Sequence, residues 1–510
     1  MFKTIKSDLP ASIVVFFVAL PLCLGIALAS GAPLFSGLIA GIVGGIVVGA
    51  ISGSKIGVSG PAAGLAAIVL TSIASLGGFE NFLVAVVLGG IIQLILGVLK
   101  AGVIGYYFPS SVIKGMLTGI GIIIIMKQIP FFFGYDKSAT SFSLDAISMG
   151  STIVGVIGLG ILILWQQVLS KKGKIFELVQ GPLVAVIVGI IFFVVTQGNE
   201  SLVISAKQLV SVPVPESVDS FLSQFTFPNF AVIGSKDVWI VAFTIAVVAS
   251  LETLLCVEAT DKLDPDKNVT PTNRELLAQG AGNIISGLIG GLPVTQVIVR
   301  SSANIQSGGK SKMSAIVHGI LLLISVILIP TLLNKIPLSV LAAVLLIVGF
   351  KLAKPATFIN MYKLGWKQFI PFMATVLPMV VTGDLLLGIG LGLAVGIVVI
   401  LFKSYQNSHF LHIEDKSNGV HKIKMSLAEE VTFFNKGAIL KELDSLSENS
   451  YLELDVRKTR FLDHDIIEIL EDFAFKAKEK NIDIKLISER GIVENPASFI
   501  EFFKLRPKAS

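Results

Sequence analysis

Two short segments carry the residue types that could do chemistry. The run Gly291-Leu292-Pro293-Val294-Thr295-Gln296-Val297-Ile298-Val299-Arg300 opens on helix-breaking residues and ends in an arginine, between apolar stretches of membrane-spanning length. Irregular backbone at membrane depth is tolerated only where it is buried in protein or lines a cavity. An arginine there costs roughly 2.5–3.5 kcal/mol even on insertion scales. A broken helix beside such a charge therefore reads first as a solute site. Arg300 could attract an anion or balance charge in the protein core. The competing reading is a structural pairing with a helix end or a carboxylate. A second break, Ser59-Gly60-Pro61-Ala62-Ala63-Gly64, lies early in the chain. Broken helices in corresponding places of two halves point to a secondary transporter with inverted repeats. Half-helix N-termini aim unpaired N–H groups and positive dipole ends at one spot, so an anion can bind without a full cationic cage.

Glu252 lies inside the apolar run Val238–Val257, with Cys256 one turn later. An intramembrane carboxylate is functional by default. Burial disfavours the charged form of a carboxyl group, so a proton or another cation can neutralise it. The structural alternative is a buried ion pair with Arg300. Glu258 and Asp261 lie nearer the end of the run and read as loop-facing charges.

These residues need elements to hold them, and the composition says which kind. The chain has 510 residues, of which 53% are hydrophobic and 15% charged, and its mean hydropathy is +0.83. A soluble protein carries about 25% charged residues, so this is an integral membrane protein. No nucleophile–base pair, phosphate loop or nucleic-acid signature is present, which argues against an enzyme or a nucleic-acid partner. None of the histidines has metal-site spacing, and no cofactor is expected. Cys23 and Cys256 both fall in apolar runs and suggest no disulfide. Lys3, Lys6 and Ala27-Leu28-Ala29 imitate a secretory signal, but the stretch 11–29 is long for a signal core and reads as the first membrane helix.

A membrane helix needs about 20 apolar residues. Runs of this kind place helices near 11–29, 34–51, 61–76, 81–100, 109–131, 149–168, 179–197, 237–257, 273–290, 294–306, 311–333, 336–353, 368–383 and 385–404. With the N-terminus inside, the cytoplasmic loops hold Lys55, Lys100, Lys171, Lys172, Lys174, Lys262, Lys267, Arg274 and Lys310, among others; the opposite loops hold Lys137, Lys207, Lys236 and Lys335. That bias obeys the positive-inside rule and supports an even number of spans with both termini cytoplasmic. Gly37, Gly41, Gly45 and Gly49 form one helix face before the first break, and Gly280, Gly282, Gly287, Gly290 and Gly291 precede the second. Such faces pack helices closely in lipid. From about His412 the chain turns charged. The stretches His421–Met425, Tyr451–Val456 and Ile482–Ile487 alternate as strands, and Ile466–Phe473 reads as a helix. This predicts a small α/β domain.

Taken together, the chain resembles the SulP family of inorganic anion transporters, also called the sulfate permease or solute carrier 26 family. The resemblance runs over nearly all of the sequence. Val58-Ser59-Gly60-Pro61 is similar to the start of the family's third helix. Phe108-Pro109-Ser110-Ser111-Val112-Ile113-Lys114-Gly115-Met116-Leu117-Thr118-Gly119 resembles its fifth-helix motif. Gly291-Leu292-Pro293 through Arg300-Ser301 resembles the tenth, and Ile336-Pro337 with Val340-Leu341-Ala342-Ala343 the twelfth. The tail resembles a STAS domain. The implied architecture is an α-helical membrane protein of 14 transmembrane segments in a seven-plus-seven inverted repeat. A core domain moves against a gate domain, helices 3 and 10 are broken, and a cytoplasmic α/β STAS domain follows. The domains are placed at 1–405 and 412–510.

The resemblance also implies a site, with the anion between the facing N-termini of helices 3 and 10. Ala62, Ala63 and Ala66 then line helix 3; related bicarbonate transporters carry a threonine where Ala66 falls, so that hydroxyl is missing here. Gln296, Val297 and Ile298 occupy the backbone-contact positions of helix 10, with Arg300 one turn beyond; the bland alternative is that they only pack. Sodium-coupled bicarbonate members place a sodium-ligating aspartate at Glu252 and a threonine at Cys256. Sulfur is a poor sodium ligand, which favours a proton over sodium as coupling ion. His464, within Phe461-Leu462-Asp463-His464-Asp465, stands where regulatory STAS domains carry a phosphorylatable serine, so a scaffold or dimer-contact role fits it better. The expected function is cation-coupled symport of bicarbonate or sulfate by alternating access. The partners are the anion, membrane lipid and a second copy in a homodimer, at the cell's inner (plasma) membrane. The run Ser250-Leu251-Glu252-Thr253-Leu254-Leu255, with Glu258 through Pro265, resembles members associated with carbonic anhydrases and leans towards bicarbonate. A passive anion channel and a nucleobase or dicarboxylate carrier are the alternatives on the same scaffold.

Overall fold

The computed structural model describes residues 4–103, 109–135, 147–169, 172, 180–199, 201–214, 221–406, 409–415 and 421–504. Phe108 of the fifth-helix motif and Lys137, Lys171 and Lys174 of the loop-charge argument lie outside the described residues. The chain divides into two compact units, Met1–Leu393 and Ala394–Ser510.

The first unit is helical. Its helices are α1 (Ile5–Ala29), α2 (Leu34–Ile51, with one π-turn over Gly44–Val48), α3 (Ala66–Ser75, led by a 3-10 turn Ala63–Leu65) and α4 (Phe79–Val98). They continue as α5 (Ser110–Phe132), α6 (Met149–Gln167), α7 (Gly181–Thr196), α8 (Lys236–Leu263) and α9 (Thr272–Leu288). The last five of the long apolar runs are α10 (Ile298–Gln306), α11 (Met313–Leu328), α12 (Leu338–Leu352), α13 (Trp366–Thr382) and α14 (Leu385–Gln406, whose residues from Ala394 belong to the second unit), with a short helix Pro355–Lys363 between α12 and α13. Each apolar run found in the sequence is thus a helix. Three boundaries differ for a physical reason. Both broken helices start later than the apolar runs because Ser59–Pro61 (β1) and Val294–Gln296 (β2) are extended strands. The run 311–333 stops at Leu328 and resumes as Pro330–Leu333, since proline cannot continue a helix.

Packing sorts the helices into two groups. α4 packs along α8 and α9, and α1 along α11 and α2; with α3 and α10 these form the core. α5 packs on α12 and α13, α6 on α12 and α7, and α14 on α13 through Thr375 and Met379; these form the gate. The pairings repeat with a shift of seven helices. α4–α8 corresponds to α11–α1, α4–α9 to α11–α2, and α5–α13 to α12–α6, while α5–α12 and β1–β2 are their own counterparts. This is the inverted seven-plus-seven repeat. The glycine face of α2 is a packing seam: Gly41 meets Cys23 of α1, and Gly45 meets His318 and Gly319 of α11.

The second unit carries β3 (His409–Asp415), β4 (His421–Leu427), α15 (Lys436–Asp444), β5 (Tyr451–Asp455), α16 (His464–Glu479), β6 (Asp483–Ser488) and β7 (Gly491–Glu494). The sheet order is β3-β4-β5-β6-β7, with β4, β5 and β6 parallel and both edge strands antiparallel. Ile423, Met425, Leu452, Leu454, Ile484 and Leu486 bury one face against Ile466, Ile469, Leu470 and Phe473 of α16. These are the strands and helix that the tail's patterning predicts, and they fit a small STAS-like domain. Asp463 caps α16 by accepting the Asp465 N–H at 3.3 Å and also takes the Phe433 N–H at 3.2 Å. His464 sits on the first turn, 3.4 Å from Glu468. The Asp463 contacts organise the loop, in keeping with a scaffold role for this segment.

Candidate functional site

The two breaks meet. β1 and β2 pair antiparallel with Ser59 opposite Gln296, Gly60 opposite Thr295 and Pro61 opposite Val294. The ladder continues where the Val297 N–H donates to Val58 O at 3.0 Å. Backbone at this depth has no water to bond, so each crossover strand must find partners in the protein. The outer edge of β2 finds them on side chains. Asn283 of α9 accepts the Val294 N–H at 2.6 Å and donates to Val294 O at 3.1 Å. Thr253 of α8 faces the Gln296 N–H at 3.4 Å. At this register Val294 turns its own N–H and C=O away from β1, so Pro61 opposite it is spared the donor that it lacks.

β1 leads straight into the start of α3 and β2 into the start of α10, at opposite ends of the paired segment. Neither flanking residue, Ala62 or Val297, supplies a side-chain cap. The first N–H groups of a helix have no partner within it. On the α3 side these belong to Ala63 and Gly64, and on the α10 side to Ile298 and Val299. Ala62 and Ala66 are buried and Ala63 is half-buried, so small side chains line this end.

One face of α8 runs past both half-helices. Glu252 is 9% exposed and points its carboxylate at the turn before α3. The backbone amide of Gly64 is directed at it, and a Cβ on Gly64 would lie 2.6 Å from Glu252 Oε2. Only glycine admits this approach. Oε2 is buried and has no hydrogen-bond partner among the described residues. One turn on, the Cys256 sulfur faces the Ile298 N–H. Thr260, a further turn along, accepts from the Gln296 side chain at 3.2 Å. Glu252 therefore attends α3, while Thr253, Cys256 and Thr260 attend α10.

The structure changes two readings made from sequence. Gln296 and Val297 were named as helix-10 donors, but their N–H groups face Thr253 and bond Val58, and the Gln296 side chain turns into α8. The extended backbone of β2 commits them to the ladder and its edge. Of the three, Ile298 alone starts the helix. The second correction concerns Arg300: no ion pair joins it to Glu252 among the described residues. Its side chain runs the other way, under Gly60, and Nη2 bonds Cys23 Sγ at 3.2 Å. Arg300 is 1% exposed, and Nη1 has no hydrogen-bond partner. A whole positive charge is thus buried behind the crossover, with no carboxylate beside it among the described residues. Glu258 pairs with Lys262 at 2.5 Å along α8, and Asp261 accepts the Thr270 N–H at 2.8 Å and so organises the loop after the helix.

Several residues of this site escaped the sequence reading. α9 carries Glu275, Gln279, Asn283 and Ser286, all fully buried. Gln279 Nε2 donates to Ser59 Oγ at 2.8 Å and to Glu275 Oε1 at 2.9 Å; Ser286 donates to Leu292 O at 2.7 Å. Their spacing of four, four and three residues puts them on one helix face, and that regularity was the signal. Thr253, Cys256 and Thr260 at i, i+3 and i+7 show the same pattern on α8.

Comparisons with known proteins agree with this architecture. The profile of the sulfate permease family matches residues 5–375. A putative sulfate transporter of Bacillus subtilis, YvdB, is 27% identical over 77% of this chain and 73% of its own length. The bicarbonate transporter BicA of a Picosynechococcus strain is 24% identical over 99% of this chain and 92% of its own. Among solved structures, the transmembrane domain of a cyanobacterial BicA superposes with a TM-score of 0.65 at 23% identity, over 78% of this chain and 98% of that one. The murine solute carrier 26 family member A9, an anion transporter in an inward-facing state, gives 0.77 at 16% identity, over 94% and 85%. A profile that spans most of the chain, on a fold whose two broken helices meet as described, settles the family: this multi-pass membrane protein belongs to the sulfate permease family.

Proposed function

We propose that the chain is a secondary active transporter that moves a small inorganic anion, bicarbonate or sulfate, together with a proton by alternating access. The observation that carries this reading is the pair of half-helix starts, neither capped by its flanking residue, to which the paired β1 and β2 lead, with Glu252 against one of them. The first N–H groups of α3 and α10 that Glu252 and Cys256 do not face, those of Ala63 and Val299, offer an anion fixed donors at no cost in reorganisation. Arg300 adds an unneutralised positive charge behind them. Glu252 is an anion already tethered at the α3 end, so it and the substrate repel each other. A proton on Glu252 removes that repulsion, and this links proton binding to anion binding. Alternation then follows if the doubly loaded core favours one position against the gate.

Proton coupling is favoured over sodium by the contacts of α8. Thr253 is engaged with Gln296, and the ligand one turn after Glu252 is a sulfur, so a hard cation finds few free oxygens. The relatives' names include both sulfate and bicarbonate transporters, and both anions belong in the test. Proteoliposomes should be offered labelled bicarbonate, sulfate and uracil under an inward proton gradient, a sodium gradient and neither. Saturable accumulation of an inorganic anion driven by protons supports the proposal. Currents unlinked to a cation gradient would indicate a channel, and uracil uptake alone a nucleobase carrier; either rejects it.

The same reading places both termini in the cytoplasm of a cell with the protein in its plasma membrane. Cysteines introduced near Asn199 and near Lys172 should label from opposite sides, because α7 lies between them. Labelling from one side contradicts the fourteen-segment topology. We further propose that the second unit serves assembly as a homodimer and leaves the anion site to the membrane unit. Truncation from His412 should therefore leave anion affinity within about twofold of the parent while lowering the dimer fraction. A folded truncated protein that binds no anion would refute this division of roles.

A further inference from the structure

The outer edge of β2 faces no third strand, and a side chain takes the place of one. Asn283 meets the N–H and the C=O of Val294 together, the contacts a neighbouring strand residue would make. Its other Nδ2 hydrogen goes to Gln93 Oε1 of α4 at 2.6 Å, and Gln93 Nε2 donates to Ser250 Oγ of α8 at 3.2 Å. All four groups are shut away from water: Asn283 and Gln93 are fully buried, Ser250 is 7% exposed and Val294 fully buried. Ser250 stands two residues before Glu252, and Val294 four residues before Ile298. We propose that Asn283 is a positioning residue for anion binding. It fixes the height of β2, and with it the aim of the first α10 N–H groups across the gap to α3, and it ties that height through Gln93 to the helix that carries Glu252.

Buried polar groups cost far more when orphaned than they contribute when paired. Val294 cannot turn to water if Asn283 is removed, and an orphaned buried backbone group is costly. β2 is only three residues long, so it relieves that cost by shifting, and the start of α10 shifts with it. A displacement of a few tenths of an ångström matters little to folding but spoils donors that must converge on one anion. The effect should appear in affinity, since Asn283 touches neither gate nor membrane lipid.

This inference depends on the site proposed above, and the experiment separates the two. Half-saturating anion concentration, maximal exchange rate and thermal midpoint should be compared in the full-length parent, Asn283→Leu and Gln93→Leu. Leucine keeps the heavy-atom branching of asparagine, with bulkier methyl groups, and removes its hydrogen bonds. Asn283→Leu should raise the half-saturating concentration by about tenfold while maximal exchange stays within about threefold. Gln93→Leu leaves the grip on Val294 and should raise it by about threefold. It serves as the reading variant if Asn283→Leu does not fold. A purely structural role would lower the thermal midpoint and the amount of active protein with unchanged half-saturation. Parental half-saturation in every variant that folds overturns the proposal. Failure of the parent itself to exchange any inorganic anion would instead reject the site.

Discussion

Glu252→Gln is expected to fold, to bind anion and to exchange it across the membrane, yet to lose proton-driven accumulation. The carboxylate lies against Gly64 in a gap that only glycine leaves open, and glutamine has nearly the same shape. What it lacks is a titrating group. In the parent, a proton on Glu252 is the condition for placing a second anion beside it. In the variant, position 252 is neutral at every pH, so an imposed proton gradient has nothing to act on there. A one-unit pH gradient is worth about 1.4 kcal/mol per proton, or tenfold in anion concentration when one proton is carried per anion and no membrane potential is imposed. The parent should approach that ratio and the variant should stay near one, with equilibrium exchange within about threefold of the parent. Exchange in the variant should also lose its dependence on pH. Accumulation as steep as the parent's would assign Glu252 a structural role only.

Arg300→Met should weaken anion binding more than any other single change at the site, without weakening the fold. Arg300 is 1% exposed, has no carboxylate partner and bonds Cys23 through one nitrogen only. A buried charge held this way is a burden on stability, because desolvation is not offset by an ion pair. Its retention then needs another return, and the positive potential it adds to the crossover supplies one. A unit charge about 8 Å away is worth roughly 2 kcal/mol at an effective dielectric of about 20. Half-saturating anion concentration should therefore rise by about 30-fold, and the thermal midpoint should hold or increase. A lower midpoint with parental affinity would show that the guanidinium is a packing element alone.

Much of the fold was legible because lipid allows so few solutions. Runs of about 20 apolar residues must be helices, and each run in the first unit is one. The breaks at Gly60-Pro61 and Leu292-Pro293 were visible because proline and glycine interrupt such runs. Their conformation was not visible. Ser59–Pro61 and Val294–Gln296 are strands only in each other's presence, a pairing across more than two hundred residues that no local pattern encodes. The same holds for the site. Glu252 and Arg300 were conspicuous as charges in apolar surroundings, and both lie where the breaks meet. That they do not pair depends on which way each side chain leaves its helix, which spacing along two separate helices does not determine. Asn283, Gln93 and Thr253 carry no charge and break no run, so they passed as ordinary members of α9, α4 and α8. Their meaning lies in the orphaned backbone that they satisfy, and that backbone exists only once β2 is extended.

The central claim is that the substrate binds between the starts of α3 and α10. Difference density for the protein saturated with the anion that uptake assays identify, with selenate in place of sulfate if sulfate is the one, tests it directly. The account predicts a peak between the two helix starts, within hydrogen-bond reach of the Ala63 or Val299 amide, weakened in Arg300→Met at the same anion concentration. A saturated, transport-competent protein whose anion peak lies elsewhere, with these amides unoccupied, would contradict it.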